Sequence, residues 1–223
     1  FINTSVSTPV LLPEYPGSEE NLTCSYTANN SNNNITVWYV NNNSIMEFYY
    51  TFENSSGLNY FYDYSGMGRD GTAYGSGYRT GGKIGSGYLF DGYISAGNVL
   101  NFERNDSFSI EMWMKTSYNI ATPISKLTPD GDRGWSVGIG GNDMLYFSLV
   151  NTYPSNALEL YGNTSVIDGI WHHIVITYDG SSNANGVKMY IDGKRMDTTT
   201  SINSLTGTIV NDANFCLGSR CGV

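Results

Sequence analysis

The chain has 223 residues, a formal net charge of −9 and only 11 lysines and arginines, which form no cluster. Phosphate recognition needs clustered cations, so a nucleic-acid partner is excluded. Charged residues are 14% of the chain against about a quarter in an average protein, while Gly (26) and Tyr (18) are abundant. Such a composition suits many short strands joined by tight turns. The length accommodates one β-sandwich of ordinary size plus a smaller piece. No apolar run approaches the ~18 residues of a transmembrane helix, so no membrane span is expected in this chain. No signal peptide precedes Phe1, and any leader or anchor is expected to lie outside these residues.

In residues 1–45, Leu22, Cys24 and Tyr26 alternate with polar residues, and an Asn-rich turn leads to Ile35, Val37 and Tyr39 opposite Thr36, Trp38 and Val40. Two strands joined by a polar loop are expected. Cys24 followed by Trp38 resembles the B and C strands of an immunoglobulin-like domain, whose second Cys has no counterpart at a matching position. Residues 1–45 therefore read as an incomplete immunoglobulin-like β segment. It is either a degenerate fragment or the first half of a domain split by the insertion of residues 46–223.

From residue 46 the period is two almost throughout, and no window of 11 or more residues carries a helical stripe. FYYTFEN (48–54), the loop DYSGMGRDGT (63–72), GSGYLFDG (85–92) and SFSIEMWMK (107–115) lead to GIWHHIVITYDG (169–180) and YIDG (190–193). In the last of the long strands, Trp171, His173, Val175 and Thr177 share one face and His172, Ile174, Ile176 and Tyr178 the other. Asp179-Gly180 and Asp192-Gly193 mark turns. In this order the motifs resemble the laminin G-like, concanavalin A-like lectin family. The resemblance implies that residues 46–223 form an all-β, antiparallel β-sandwich of jelly-roll type, with about six strands in each sheet. The family's closing strand, roughly Gly-x-Ile-Asp-Glu-Val, is missing. A strand from beyond Val223, or from a second chain, is therefore expected beside Phe48 to Phe52, and the same continuation is expected to hold the partner of Cys24.

Eight Asn-x-Ser/Thr sequons, at Asn3, Asn21, Asn29, Asn34, Asn42, Asn54, Asn105 and Asn163, point to a glycoprotein at the cell surface or outside the cell. Three cysteines leave one thiol over. Cys216 and Cys221 flank Leu-Gly-Ser-Arg, where a turn at Gly218 can close a disulfide. The competing pairing joins Cys24 to one of them.

Chemistry is sparse. His172 and His173 are adjacent on a strand, point to opposite faces and cannot grip one metal together. Glycosidases on this sandwich carry paired carboxylates at the spacing Glu-x-Asp-x-x-Glu, which is absent here; Glu111 stands alone, so no enzyme is expected. Calcium is the one cofactor with a candidate site. Asp63 and Asp70 offer oxygens in a Gly-punctuated loop, with Asp91 and Glu53 to complete the shell, and the family resemblance places calcium by such loops. The competing reading is turn capping by the same aspartates. For a ligand, Trp135, Tyr153 and Tyr161 are the candidate platforms, while Trp113 and Trp171 read as core.

The expected function is a non-catalytic extracellular binding or adhesion module that recognises a glycan or a cell-surface protein. The alternative is a glycosylated structural subunit of a filament, stalk or surface layer, whose partners include copies of itself.

Overall fold

A computed structural model describes residues 46–53, 59–119, 121–130 and 133–221, together with the backbone of six short strands nearer the N-terminus. Those six are β1 (Ser5–Val6), β2 (Val10–Leu12), β3 (Thr23–Ser25), β4 (Ala28–Asn29), β5 (Tyr39–Val40) and β6 (Asn43–Ser44). They pair as β1–β4, β2–β3 and β5–β6. The side chains on which the immunoglobulin-like reading rests, Cys24 and Trp38, lie outside the described residues.

Alternation of apolar and polar residues builds the rest. The strands are β7 (Tyr60–Phe61), β8 (Gly71–Gly75), β9 (Tyr78–Gly81), β10 (Ser86–Leu89), β11 (Gly92–Ser95), β12 (Phe108–Met114), β13 (Ala121–Leu127), β14 (Gly134–Ile139), β15 (Met144–Thr152), β16 (Asn156–Ser165), β17 (His172–Tyr178), β18 (Val187–Ile191), β19 (Lys194–Arg195), β20 (Thr198–Asn203) and β21 (Cys216–Leu217). Nine form one antiparallel sheet in the order β20-β16-β15-β14-β13-β21-β11-β8-β7, and four form a second, β12-β17-β18-β19. The all-β sandwich is as expected; its division is nine and four rather than six and six. A 3-10 turn at Ala184–Gly186 is the helical element among the described residues.

Register decides which side chains meet. In the larger sheet Trp135 pairs with Leu149, Val137 with Phe147 and Ile139 with Leu145, and Leu158 and Leu160 extend the same rows into β16. All are buried and face Ile174, Ile176, Tyr178, Val187, Met189 and Ile191 of the smaller sheet. Phe108 of β12 closes the gap, its ring 5.5 Å from Trp135 and 6.1 Å from Phe147. Burying side chains of this size contributes about 1.5–3 kcal/mol each, so the paired rows supply most of the driving force.

Two sequence expectations change. Phe48 to Phe52 forms no strand; it runs as irregular chain whose rings pack on the core, Phe48 on Phe215 at 4.9 Å and Phe52 on Phe61 at 5.9 Å. Trp113 is not core. It faces outward from β12 at 40% exposure, because the inward positions of that strand are Phe108, Ile110, Met112 and Met114.

The Asp192-Gly193 turn is found as read. Both residues have positive φ, 51° and 76°, the geometry that lets a two-residue hairpin follow the strand twist. Cys216 and Cys221 are joined in a disulfide, with Cα atoms 5.8 Å apart. No helix among the described residues is long and apolar enough to cross a membrane.

Candidate functional site

The expected ligand residues separate. Trp135 is 2% exposed, and its indole N–H donates to the Leu100 carbonyl at 3.2 Å. Its partner is internal and its faces lie in the core, so it offers a ligand no platform. Tyr153 and Tyr161, by contrast, come together on the outer face of the larger sheet, at the β15–β16 hairpin.

That hairpin builds the site. Its register pairs Tyr146 with Tyr161 and Ser148 with Glu159, and β14 continues both rows with Gly138 and Ser136. Since side chains alternate, this set lies on the face opposite the Phe147–Leu160 core row. The Tyr146 and Tyr161 rings stand 5.6 Å apart. Tyr146 lies down over Gly138, where a Cβ would meet its ring and hydroxyl at 2.3–2.4 Å. Glycine there lets the ring settle against the sheet. Beneath the rings Ser136 and Ser148 are buried and bonded to each other, Oγ to Oγ, at 2.9 Å. Glu159 closes the row at 6% exposure, and Tyr153 stands at the hairpin tip, 48% exposed.

The phenols register the carboxylate. Burial first, then the charge of Glu159 and a hydrogen bond to it, push the Tyr161 hydroxyl up to about 12. Tyr153 is raised chiefly by the Glu159 charge, with burial adding to it. Among the described residues no Lys or Arg forms an ion pair with Glu159. Sequence reasoning named Tyr153 and Tyr161 and missed Tyr146 and Glu159. Folding the chain back about Tyr153 to Ser155 would have found both, because that hairpin sets Tyr146 against Tyr161 and Ser148 against Glu159.

The expected calcium ligands fall into separate groups. Asp63 and Asp70 do meet, with the Asp63 N–H donating to Asp70 Oδ1 at 2.8 Å. Their remaining contacts are also with donors. Asp63 Oδ1 accepts from the N–H of Tyr49 and Ser65, and Oδ2 from Ser65 Oγ and the Arg69 N–H, all within 2.7–3.0 Å. Asp70 Oδ2 accepts from the Tyr60 hydroxyl at 2.6 Å. These lone pairs are turned to protons, which is the arrangement of turn capping. Glu53 is elsewhere, accepting from Ser86 N and Oγ at 2.7 and 3.0 Å, and Asp91 is exposed at the β10–β11 turn. Among the described residues no group of three or more His, Cys, Asp or Glu is placed to hold a metal.

The adjacent histidines point to opposite faces, as read. His172 faces inward between two carboxylates, with Nδ1 2.8 Å from Asp192 Oδ2 and Nε2 3.1 Å from Asp168 Oδ1. His173 faces out, its Nε2 2.9 Å from Glu111 Oε1 and its ring 4.9 Å from that of Trp113. Of the sequons, Asn105 and Asn163 are exposed. The side chains of Asn3, Asn21, Asn29, Asn34, Asn42 and Asn54 lie outside the described residues.

A match to a family model agrees with this architecture. Residues 86–222 match the family model described as the concanavalin A-like lectin/glucanases superfamily, of laminin G type. Among solved structures the chain is similar to domains LG4-5 of the mouse laminin alpha1 chain, at 13% identity and a TM-score of 0.43, covering 57% of this chain and 32% of that one. The search of curated proteins found no match.

Proposed function

The chain belongs to the concanavalin A-like lectin/glucanases superfamily, and on that premise we propose that it is a non-catalytic extracellular binding module that takes a glycan on the outer face of its larger sheet. The observation that carries the reading is the Tyr146–Tyr161 pair, half-buried on that face and backed by the Glu159 carboxylate. Flat rings stack on the C–H face of a sugar, and the Glu159 carboxylate holds the Tyr161 ring in place through its hydroxyl. The residues facing Glu159 across the register are Ser148 and Ile202, neither acidic. Glycoside hydrolysis uses two carboxylates about 5–9 Å apart, and these rows offer one, which favours binding over cleavage. The abundance of sequons and the disulfide support an extracellular setting.

A glycan array probed with the wild-type protein and with Tyr146→Ala tests this. Selective binding that the substitution abolishes is the expected result. A wild-type protein that binds nothing on the array would turn the assignment toward the structural subunit of a filament or surface layer.

A further inference from the structure

Lys126 brings a buried amine up to a side-chain amide. It stands on β13 at 1% exposure, and its Nζ lies 2.7 Å from Oδ1 of Asn98, in the loop that follows β11. We propose that this pair is a modification site, at which Lys126 Nζ attacks Asn98 Cγ, ammonia leaves, and an isopeptide bond ties the loop to β13.

A buried lysine ordinarily answers its charge with a carboxylate. Among the described residues no Asp or Glu forms an ion pair with Lys126, and its partners are the amide oxygens of Asn98, Asn211 and Ala213. Burial pushes the amine down to about 8, against the raising charge of Asp212, so about a tenth of the molecules carry the nucleophilic free base at neutral pH. In that state the nitrogen keeps two N–H donors for the Asn211 and Ala213 carbonyls and has a lone pair for Asn98. A C=O bond of about 1.23 Å puts Asn98 Cγ within about 4 Å of Nζ, close to the separation of about 3–3.5 Å in a near-attack pair. Asn98 Oδ1 also accepts from Asn101 Nδ2 at 2.8 Å, a donor that steadies the negative charge growing on that oxygen during attack.

The leaving side is open as well, because Asn98 is exposed and ammonia departs to solvent. Asn211 is the poorer acceptor. Its Oδ1 is 3.5 Å from Nζ, and its Nδ2 is held by the carbonyls of Lys126, Arg133 and Ile209. In the reaction a Nζ–H bond and the Cγ–Nδ2 bond break, a Nζ–Cγ bond and a Nδ2–H bond form, and nothing is oxidised or reduced. The link joins residues 28 apart, against 5 for the Cys216–Cys221 disulfide, so it constrains more of the unfolded chain.

Intact-mass spectrometry reads the bond directly, on protein made in a host that adds no glycans and followed from purification through incubation at about pH 9, above the range of the amine. Wild type is expected to reach a mass about 17 Da below that of its sequence with the disulfide closed, the mass of the ammonia released. A tryptic digest should then give a branched peptide joining Lys126 to Asn98, with no cut after Lys126. Lys126→Arg, whose guanidinium stays protonated, and Asn98→Ala, at an exposed position, should both keep the full mass. Should Lys126→Arg fail to fold, Asn98→Ala and the branched peptide still decide. A wild type that stays at full mass and is cut after Lys126 would overturn the proposal. So would a loss of the same size that survives Asn98→Ala or maps to another pair of residues.

Discussion

His172 and Asp192 are joined at 2.8 Å, tying the first residue of β17 to the turn between β18 and β19. Asp192 Oδ1 also accepts the His173 backbone N–H at 2.9 Å, and Asp168 stands at the other ring nitrogen of His172. With a carboxylate on each side, both nitrogens are satisfied only when the ring carries two protons. Burial opposes that charge, and the hydrogen bonds to Asp192 and Asp168 outweigh it, so the histidine titrates above its ordinary range. Backbone N–H donors first, and then His172, hold both aspartates below theirs.

These shifts set the sign of the pH dependence. A raised histidine pKa gives a contribution that is complete below the unfolded value of about 6.5 and is lost as pH climbs through the folded one. The depressed aspartates give a contribution present above about 3.9 and lost as pH falls further. His172→Gln should therefore lower the Tm most near about pH 5–6, with the gap to wild type closing toward about pH 9. Melting curves of both proteins across that range check it. A gap that widens with pH would mean the ring is held neutral.

Lys126 is 1% exposed, and its ammonium donates to Asn98 Oδ1 at 2.7 Å, to the Asn211 carbonyl at 3.2 Å and to the Ala213 carbonyl. The side chain thus pins the 211–213 segment and Asn98 to β13. Lys126→Met keeps the apolar stem and strands those acceptors, each costing about 1–3 kcal/mol if water does not reach it. Chemical denaturation should show a loss of about that size. A change under about 0.5 kcal/mol, ordinary for a surface site, would contradict the buried network.

The Asp63–Asp70 loop satisfies its own carboxylates. Chelator should leave the Tm of the wild-type protein unchanged, whereas Asp63→Ala should lower it with or without chelator, since four donors lose their acceptor. A ligand that binds only the folded state stabilises it by mass action, so a chelator-induced fall in Tm that Asp63→Ala abolishes would instead assign calcium here.

The two tryptophans should part in the same way. Trp135→Ala empties a core site packed by Phe102, Phe108 and Phe215 and should cost about 3–5 kcal/mol. Trp113→Ala removes an exposed ring and should cost under about 1 kcal/mol. Equal losses would contradict the inside-out assignment of β12.

These two residues also show what the chain disclosed before its fold was known. Strand identity was legible wherever a motif carried its own turn, as at His172–Tyr178 and Asp192-Gly193, because period-two alternation and turn chemistry are local. The facing of β12 was not. Trp113 and Met112 are both apolar, and only the position of β17, which sets Trp113 opposite the outward His173, decides between them. Phe48–Phe52 resembles the family's opening strand, but strand structure needs a partner's backbone, and its aromatic rings satisfy themselves on Phe61, Tyr88 and Phe215 instead. The candidate site was half visible for a related reason. Tyrosines announce themselves in sequence, whereas Glu159 gains its meaning from the rings that the hairpin folds beside it.

The central claim is tested most directly by isothermal titration of the protein with the tightest-binding glycan found for it, comparing wild type with Tyr161→Ala. The account predicts a loss of affinity of about tenfold or more, with unfolding still cooperative and Tm near that of wild type. An affinity unchanged by Tyr161→Ala in a folded protein would contradict it and place the glycan on another surface.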